Sequence, residues 1–365
     1  MNKRGITSFG AYVPRRRLPR GTIAAAHGWA NPNLSGLARG HRAFCGHDED
    51  SLTMAAAAGR RALSQAPPPS RLLLASTTLP FADRHNATLV GEALGLPPDL
   101  AAMDCGGGLR AGVSALRLAL EGDISTLVLA TDKRATRPGS TAELRIGDAA
   151  AAFAIGEGPI LAELIGAHAV SVDFVDHYRM TDSRFDYQLE ERWVRDEGLV
   201  AIVPPAIRSL LERTGVDAAR IDRFICGGLS RADAVSVAAA CGIDAGAAVP
   251  DLHAECGDSG TAHPLLLLTQ TLADAAPGQF ILVAGLGQGA ELLLLRTTDD
   301  VCRAGAMTGA AGALAGGVVD DNYLRYLSFN DHLQMDWGMR AERDLRTAQS
   351  AFFRHRDTVT RLVGG

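Results

Sequence analysis

The same order of short apolar runs and helical segments occurs twice along this chain. Strand candidates at residues 6–13, 71–78, 100–104, 127–132 and 149–155 are matched by candidates at 159–167, 223–228, 248–253, 280–285 and 291–297. Continuous apolar runs of this length are typical of strands that are covered on both faces. Because the strands alternate with helices, we expect mostly parallel sheets with helices on their faces. The repeat predicts two similar α/β halves, residues 1–158 and 159–298.

Helical segments are predicted between these strands from apolar spacing and from end signals. They fall at residues 51–63, 86–94 and 112–121 in the first half, and at 203–214, 232–241 and 264–273 in the second. Asp50 or Ser51 should cap the first helix, and Gly95 should end the second. Two segments stand outside the repeat: an aromatic and charged insertion at 173–198, and a linker and tail at 299–365.

Charge and apolar patterning argue against two classes of partner. The chain carries 36 Lys and Arg against 41 Asp and Glu, a formal net charge of −5, which gives no general electrostatic reason to bind nucleic acid. No apolar run approaches the roughly 20 residues that a membrane-spanning helix needs. The six cysteines form no CxxC pair, so we expect reduced thiols, no metal site and a cytoplasmic location.

Five motifs in one order resemble condensing enzymes of the thiolase superfamily. Residues 5–14 (GITSFGAYVP) and 48–55 (DEDSLTMA) are similar to the first strand and helix of archaeal HMG-CoA synthases. Residues 147–153 (GDAAAAF) resemble a strand found in ketoacyl-ACP synthase III and HMG-CoA synthase. Residues 257–264 (GDSGTAHP) and 285–289 (GLGQG) resemble the turn after the catalytic asparagine and the glycine loop of related acyltransferases.

That resemblance implies the thiolase fold, with two duplicated halves in a layered α-β-α-β-α arrangement and a C-terminal extension. It also implies chemistry on an acyl thioester of coenzyme A or an acyl carrier protein, with no permanently bound cofactor. A homodimer is the assembly that we expect from it.

The insertion and the tail resemble bacterial relatives that work with partner proteins. Residues 173–179 and 190–198 are similar to HMG-CoA-synthase-like proteins that act with an OB-fold partner. Residues 323–327, 340–342, 347–348 and 353–357 are similar to the stretch that leads, in fused relatives, into a zinc ribbon and an OB-fold. The resemblance implies a separate OB-fold (zinc-ribbon) protein and a thiolase as partners. A partner role predicts an exposed apolar and aromatic surface at residues 323–353.

Cys105 is the candidate nucleophile, because family chemistry uses a thiolate and a helix N-terminus lowers a thiol's pKa. It follows a predicted strand and precedes the glycine-rich turn 106–108 that leads into a helix. A second alignment places the family pattern on Asp104 and residues 110–112, which puts Leu109 at the nucleophile position and leaves Cys105 a buried, inert residue. Both alignments stay open. The substrate-binding candidates are Arg110, Gly287 and Gly289.

Three other catalytic positions of the family are replaced. No histidine follows the strand that ends at Cys226, the asparagine position falls at or near Glu255, and the glutamate position falls near Thr77. His253, Glu255 and Asp258 share one loop, and any of them is a candidate catalytic base. The alternatives are a helix cap for Asp258, a structural role for His253 and solvent exposure for Glu255.

Two functions of different classes follow from these residues. The first is an acyltransferase that forms or breaks a C–C bond on acyl thioesters, with Cys105 carrying the acyl group. The second is a catalytically silent subunit of a complex in which a thiolase partner supplies the chemistry. The glycine-rich turn after Cys105 favours the first function, and the missing histidine favours the second.

Overall fold

A computed structural model describes residues 3–336 of the chain. Its strands are β1 (Arg4–Tyr12), β2 (Arg16–Pro19), β3 (His41–Phe44), β4 (Arg71–Ala75), β5 (Ala101–Cys105), β6 (Thr126–Asp132), β7 (Ala149–Glu157), β8 (Ala162–Ser171), β9 (His177–Tyr178), β10 (Tyr187–Gln188), β11 (Ile221–Cys226), β12 (Phe280–Leu286), β13 (Gly289–Thr297) and β14 (Val318–Val319). Its α-helices are α1 (Arg20–His27), α2 (Ser51–Leu63), α3 (Asn86–Leu94), α4 (Ala111–Glu121), α5 (Thr141–Arg145), α6 (Glu191–Trp193), α7 (Ala201–Thr214), α8 (Arg231–Ala240), α9 (His263–Ala273), α10 (Ala310–Ala315) and α11 (Tyr323–Phe329).

Nine strands form the main sheet, in the order β11-β12-β13-β8-β1-β7-β6-β4-β5. The strands β4, β6, β7 and β1 of the first half correspond in order to β11, β12, β13 and β8 of the second. In each half the first pair is parallel and the next two pairs are antiparallel. The halves meet where Ile6 pairs with Ala162. The predicted repeat of element order is therefore present in the sheet.

Two expectations about the strands are wrong. The sheet is mixed rather than mostly parallel. In the first half β7 is antiparallel to both β6 and β1, and in the second half β13 is antiparallel to both β12 and β8. Residues 248–253 do not form a strand, and this segment contributes only a bridge between Phe224 and Ala248. Pro250 lacks the N–H that a ladder needs, and Leu252 has a φ of 55°, which ends an extended segment.

Three buried apolar clusters alternate with the two halves of the sheet. One joins α2 and α3 to the first half, and another joins α7 and α8 to the second half. The third joins α4 and α9 to strands of both halves. The layers are thus helix, sheet, helix, sheet, helix, which confirms the predicted architecture.

Helix ends follow the predicted signals closely in the first half. The α2 and α3 helices have the predicted bounds. The Asp50 carboxylate accepts the Thr53 N–H at 2.8 Å and caps α2. Gly95 ends α3 with a φ of 73°, a conformation that glycine adopts without strain.

The insertion folds against the first half of the molecule. Its hairpin, formed by β9 and β10, is fixed by an ion pair between Arg134 and Asp186, both of which are largely buried. Arg184 donates to the carbonyls of Asn330 and Asp331, so the insertion also contacts the extension.

The described part of the extension turns its aromatic residues inward. Strand β14 joins β2 and β3 in a small sheet, and Tyr326 of α11 is fully buried against Phe44 and Arg42. The expected exposed surface is therefore not formed by Tyr326, although Leu324 is exposed. The similarities at 340–342, 347–348 and 353–357 lie outside the described residues. Within residues 3–336, no helix combines the length and apolarity that crossing a bilayer requires.

Candidate functional site

A cleft of about 310 Å³ lies where α4 begins and the β12–β13 turn approaches it. Its lining includes Cys105, the glycines at 106–108, Arg110 and Ser114, together with Gly287 and Gln288 of the turn. The structure thus brings together Cys105, Arg110 and Gly287, three of the residues singled out from the sequence.

Cys105 stands at the end of a strand rather than at the start of a helix. It is the last residue of β5, and its carbonyl accepts the Ser76 N–H at 3.0 Å. The α4 helix begins six residues later, at Ala111. Burial and the neighbouring Asp104 carboxylate raise the pKa of the Cys105 thiol, so the thiol is held in its protonated form.

Leu109 lies at the head of α4, next to the N-cap residue Arg110. The Gly287 backbone packs directly on it: a Cβ at Gly287 would lie 3.2 Å from the Leu109 nitrogen and 3.3 Å from the Arg110 nitrogen. Gly287 has a φ of 144°, which also favours glycine. The glycine turn therefore approaches the α4 head at Leu109.

Arg110 joins the head of α4 to the second half of the sheet, and Gly289 allows β13 and β8 to pack closely at the same place. The Arg110 guanidinium donates to the Val170 carbonyl at 2.8 Å and to the Ser171 hydroxyl at 2.9 Å. A Cβ at Gly289 would fall 1.9 Å from the Val170 oxygen, so only glycine fits there. The Arg110 hydrogen bonds fix its guanidinium against β8 and engage much of its donor capacity.

His253 and Asp258 form a second group, outside the cleft lining, together with His263. One donor atom from each of the three lies within 4.8 Å of the others. Burial lowers the pKa of His263 to about 4, so this imidazole is neutral. Burial alone would raise the pKa of Asp258, but His263, His253 and Arg134 hold it below its usual range. Glu255 is exposed on the same loop.

The segments in which the sequence resemblance places the family's histidine and glutamate hold residues with close packing or hydrogen-bond partners. A Cβ at Gly227, directly after Cys226, would lie 2.7 Å from Cδ of Pro264. A histidine side chain has no room there unless Pro264 moves. Thr77 donates its N–H and its hydroxyl to the Asp132 carboxylate, at 2.8 and 3.0 Å.

Asp132 is a central residue that sequence reasoning missed. It is fully buried at the end of β6, and it accepts hydrogen bonds from Ser76, Thr77 and Thr78 on one oxygen. Its other oxygen accepts the Thr261 N–H at 2.7 Å, from the second half of the chain. The sequence does contain a signal for it, because an acidic residue at the end of an apolar, buried strand must find hydrogen-bond partners.

Solved structures share this fold over most of the chain. An MvaS structure in complex with 3-hydroxy-3-methylglutaryl coenzyme A has a TM-score of 0.74 and 19% identity, and covers 90% of this chain and 92% of that one. The HMG synthase of the curacin pathway, in complex with an acetyl donor-ACP, has a TM-score of 0.76 and 18% identity, and covers 90% and 88%. The 3-oxoacyl-(acyl carrier protein) synthase III of Pseudomonas aeruginosa has a TM-score of 0.71 and 20% identity, and covers 81% and 98%. The chain has the thiolase fold that these structures share.

Comparison with curated proteins identifies the family to which the chain belongs within this fold. The hydroxymethylglutaryl-CoA synthase of Aeropyrum pernix is 31% identical over 310 residues, which cover 81% of this chain and 86% of that protein. The enzyme of the same name from Archaeoglobus fulgidus is 29% identical over 317 residues, covering 81% and 90%. No family model matches the sequence. The chain belongs to the hydroxymethylglutaryl-CoA synthase family.

Proposed function

We propose that this chain handles acyl thioesters without carrying the acyl group on a cysteine at the head of α4. It then acts as a catalytically silent subunit of a condensing complex, in which a partner supplies the nucleophile. The observation that carries the proposal is the position of Leu109, which lies where the glycine turn meets the α4 head.

The chemistry of the remaining groups supports the same proposal. A hydrocarbon side chain cannot accept an acyl group, and the nearest thiol in the cleft, Cys105, has a raised pKa. The strand end after Cys226 has no room for a histidine, and Thr77 already hydrogen-bonds to Asp132. On this proposal the nucleophile and two of its family partners are replaced together, in three separate segments.

Acyl transfer through Cys105 is the second candidate function, and one observation favours it. The Cys105 side chain is only partly buried and lines the same cleft as Arg110, Gly287 and Gln288. A thioester placed in this cleft would lie beside the thiol, and a small thiolate fraction is enough for slow acylation of a cysteine.

Intact-mass measurement after incubation with acetyl-CoA or acetoacetyl-CoA separates the two functions. We expect no acyl adduct on the wild-type chain. An adduct that is present on the wild-type chain and absent from Cys105→Ala would instead establish acyl transfer through Cys105. Cys302→Ala is the matched control, because Cys302 is an exposed cysteine far from the cleft in sequence.

The substrate of this proposal is an acyl thioester of coenzyme A or of an acyl carrier protein. Two neighbours in fold are complexes with 3-hydroxy-3-methylglutaryl coenzyme A and with an acetyl donor-ACP. Binding without turnover is expected here, and isothermal titration with acetyl-CoA measures it directly. Absence of any binding by the folded chain would contradict a thioester-handling role.

A homodimer joined through β5 is part of the proposal. β5 is an edge strand of the nine-stranded sheet, so one side of its backbone is free to pair. Met103 on this strand is 51% exposed, and Leu118 of α4 is also exposed. Pairing with β5 of a second copy would cover the edge and extend the sheet across the dimer.

The OB-fold and thiolase partners are proposed on the resemblance and on the surface of the insertion. Tyr178, Met180, Tyr187 and Trp193 are all exposed there, and Tyr, Trp and Met are enriched in protein interfaces. We expect these partners, and this chain, in the cytoplasm. Co-expression with a cognate thiolase and OB-fold protein tests the assembly, and recovery of a free homodimer alone would contradict it.

A further inference from the structure

We propose that His253, Asp258 and His263 form an exchangeable site for a divalent transition-metal ion of the zinc class. The site lies in the loop that leads into α9, outside the cleft at the α4 head. It is independent of the proposed handling of acyl thioesters.

The donor set has the composition that such ions prefer. Each of the three side chains offers one ligand atom, and these atoms lie within 4.8 Å of one another. Nδ1 of His263 lies 3.9 Å from Oδ1 of Asp258. Ligand atoms about 2 Å from one ion lie somewhat closer together than this, so small side-chain rotations complete the set. Imidazole nitrogens with a carboxylate oxygen suit zinc and its neighbours.

Each histidine turns one nitrogen toward the proposed ion: Nε2 of His253, which has no hydrogen-bond partner, and Nδ1 of His263, which accepts the Ser259 N–H at 3.2 Å. Nε2 of His263 donates to the Asp251 carbonyl at 2.8 Å, which leaves Nδ1 on the side of Asp258. Nδ1 of His253 lies 3.7 Å from the Asp251 carboxylate, while its Nε2 is buried with no hydrogen-bond partner. Histidine ligands of metals are typically oriented by a carbonyl or carboxylate on the other nitrogen. Here the Asp251 carbonyl orients His263, and the Asp251 carboxylate lies beside His253.

Hydrogen bonds to the ligand atoms are compatible with an ion. The Ser259 N–H donates to Nδ1 of His263 at 3.2 Å, the upper end of the range for such bonds, and the Ser259 hydroxyl lies at the same distance, so an ion at Nδ1 would displace a long hydrogen bond. Oδ1 of Asp258 accepts the Gly260 N–H at 3.0 Å, and a carboxylate oxygen has a second lone pair for a ligand bond.

Charge and solvent access also permit an ion. Arg134 is the cation near Asp258, and it is ion-paired with Asp186. The His253 and Asp258 side chains are 21% and 17% exposed, so the site lies close to the surface, and rotation of His253 would let an ion reach its buried Nε2, with a water molecule as the fourth ligand.

Cobalt titration of the full-length chain, prepared without a polyhistidine tag, tests the site. We expect one Co²⁺ per chain with visible d–d absorption, and competition by Zn²⁺. His253→Ala should weaken Co²⁺ binding at least tenfold. His253 is partly exposed, so this variant should fold, and circular dichroism checks that it does.

His177→Ala is the matched control. His177 is 18% exposed and also lies beside a carboxylate, that of Asp176 at 2.9 Å, but it is outside the proposed site. This variant should bind Co²⁺ as the wild type does. The proposal is overturned if the folded wild-type chain binds no Co²⁺, or if His253→Ala binds it as tightly as the wild type.

Discussion

The Asp132 carboxylate accepts the backbone N–H of Thr261 at 2.7 Å, which joins the end of β6 in the first half to the loop before α9 in the second. Its other oxygen accepts hydrogen bonds from the hydroxyls of Ser76, Thr77 and Thr78, in the loop after β4. One buried side chain thus fixes two loops that border the centre of the molecule.

Asp132→Asn should destabilise the chain by about 2–3 kcal/mol, because an amide NH₂ cannot accept the hydrogen bonds that one oxygen now receives. Chemical denaturation monitored by circular dichroism measures this free energy of unfolding. Asp123→Asn, at an exposed position, is the control and should be nearly neutral. Equal stability of the Asp132 and Asp123 variants would refute the role of Asp132 as a buried link.

The Cys105 thiol should be slow to alkylate near neutral pH. Burial and Asp104 raise its pKa, so the reactive thiolate forms only at more alkaline pH than for an ordinary thiol. Peptide mapping after brief iodoacetamide treatment across a pH series measures the rate at each cysteine. Exposed Cys302 should react first. Faster reaction at Cys105 than at Cys302 near pH 7 would contradict the raised pKa.

Asp186→Asn should release the insertion hairpin, because it leaves the Arg134 guanidinium largely buried without its charged partner. Loss of one partner from a buried ion pair costs about 3 kcal/mol, and the pair here is 6% and 12% exposed. Hydrogen exchange at residues 177–188 should accelerate markedly, while β6 and β12 remain protected. Asp182→Asn, at an exposed position of the same hairpin, should leave exchange unchanged. Unaltered protection in Asp186→Asn would show that the ion pair does not hold the hairpin.

Met103→Asp should convert the proposed homodimer to a monomer, since it places a charge on each side of the paired β5 edges. Light scattering coupled to size-exclusion chromatography measures the mass in solution. Leu324→Asp changes an equally exposed apolar residue on α11 and should leave the dimer intact. A dimer that persists in Met103→Asp would place the interface elsewhere.

The scaffold could be predicted from the sequence because its signals are local or periodic. Runs such as residues 127–132 are buried on both faces, and Asp50 and Gly95 mark helix ends with their own chemistry. The directions of the strands depend on long-range pairing, which the spacing of apolar residues does not reveal. The missing strand after Ala248 is explained by Pro250, which that spacing also ignores.

The candidate site was harder to predict, because its geometry depends on which residue a distant loop meets. Cys105 and Leu109 are only four residues apart. Which of them stands at the start of α4 beside the glycine turn depends on where Gly287, in the other half of the chain, makes its contact. The grouping of His253 with Asp258 was visible as a shared loop, but the contribution of His263 requires the turn that brings α9 back to it.

Leu109→Cys, followed by intact-mass and peptide mapping with acetyl-CoA, tests the central claim most directly. The claim predicts an acetyl adduct on residue 109 of this variant, because the helix N-terminus activates a thiol at the α4 head, whose backbone the Gly287 turn contacts. Wild-type protein and Leu109→Ser should carry none. An acetyl group on Cys105 of the wild-type chain, or a folded Leu109→Cys variant that stays unmodified, would contradict the account.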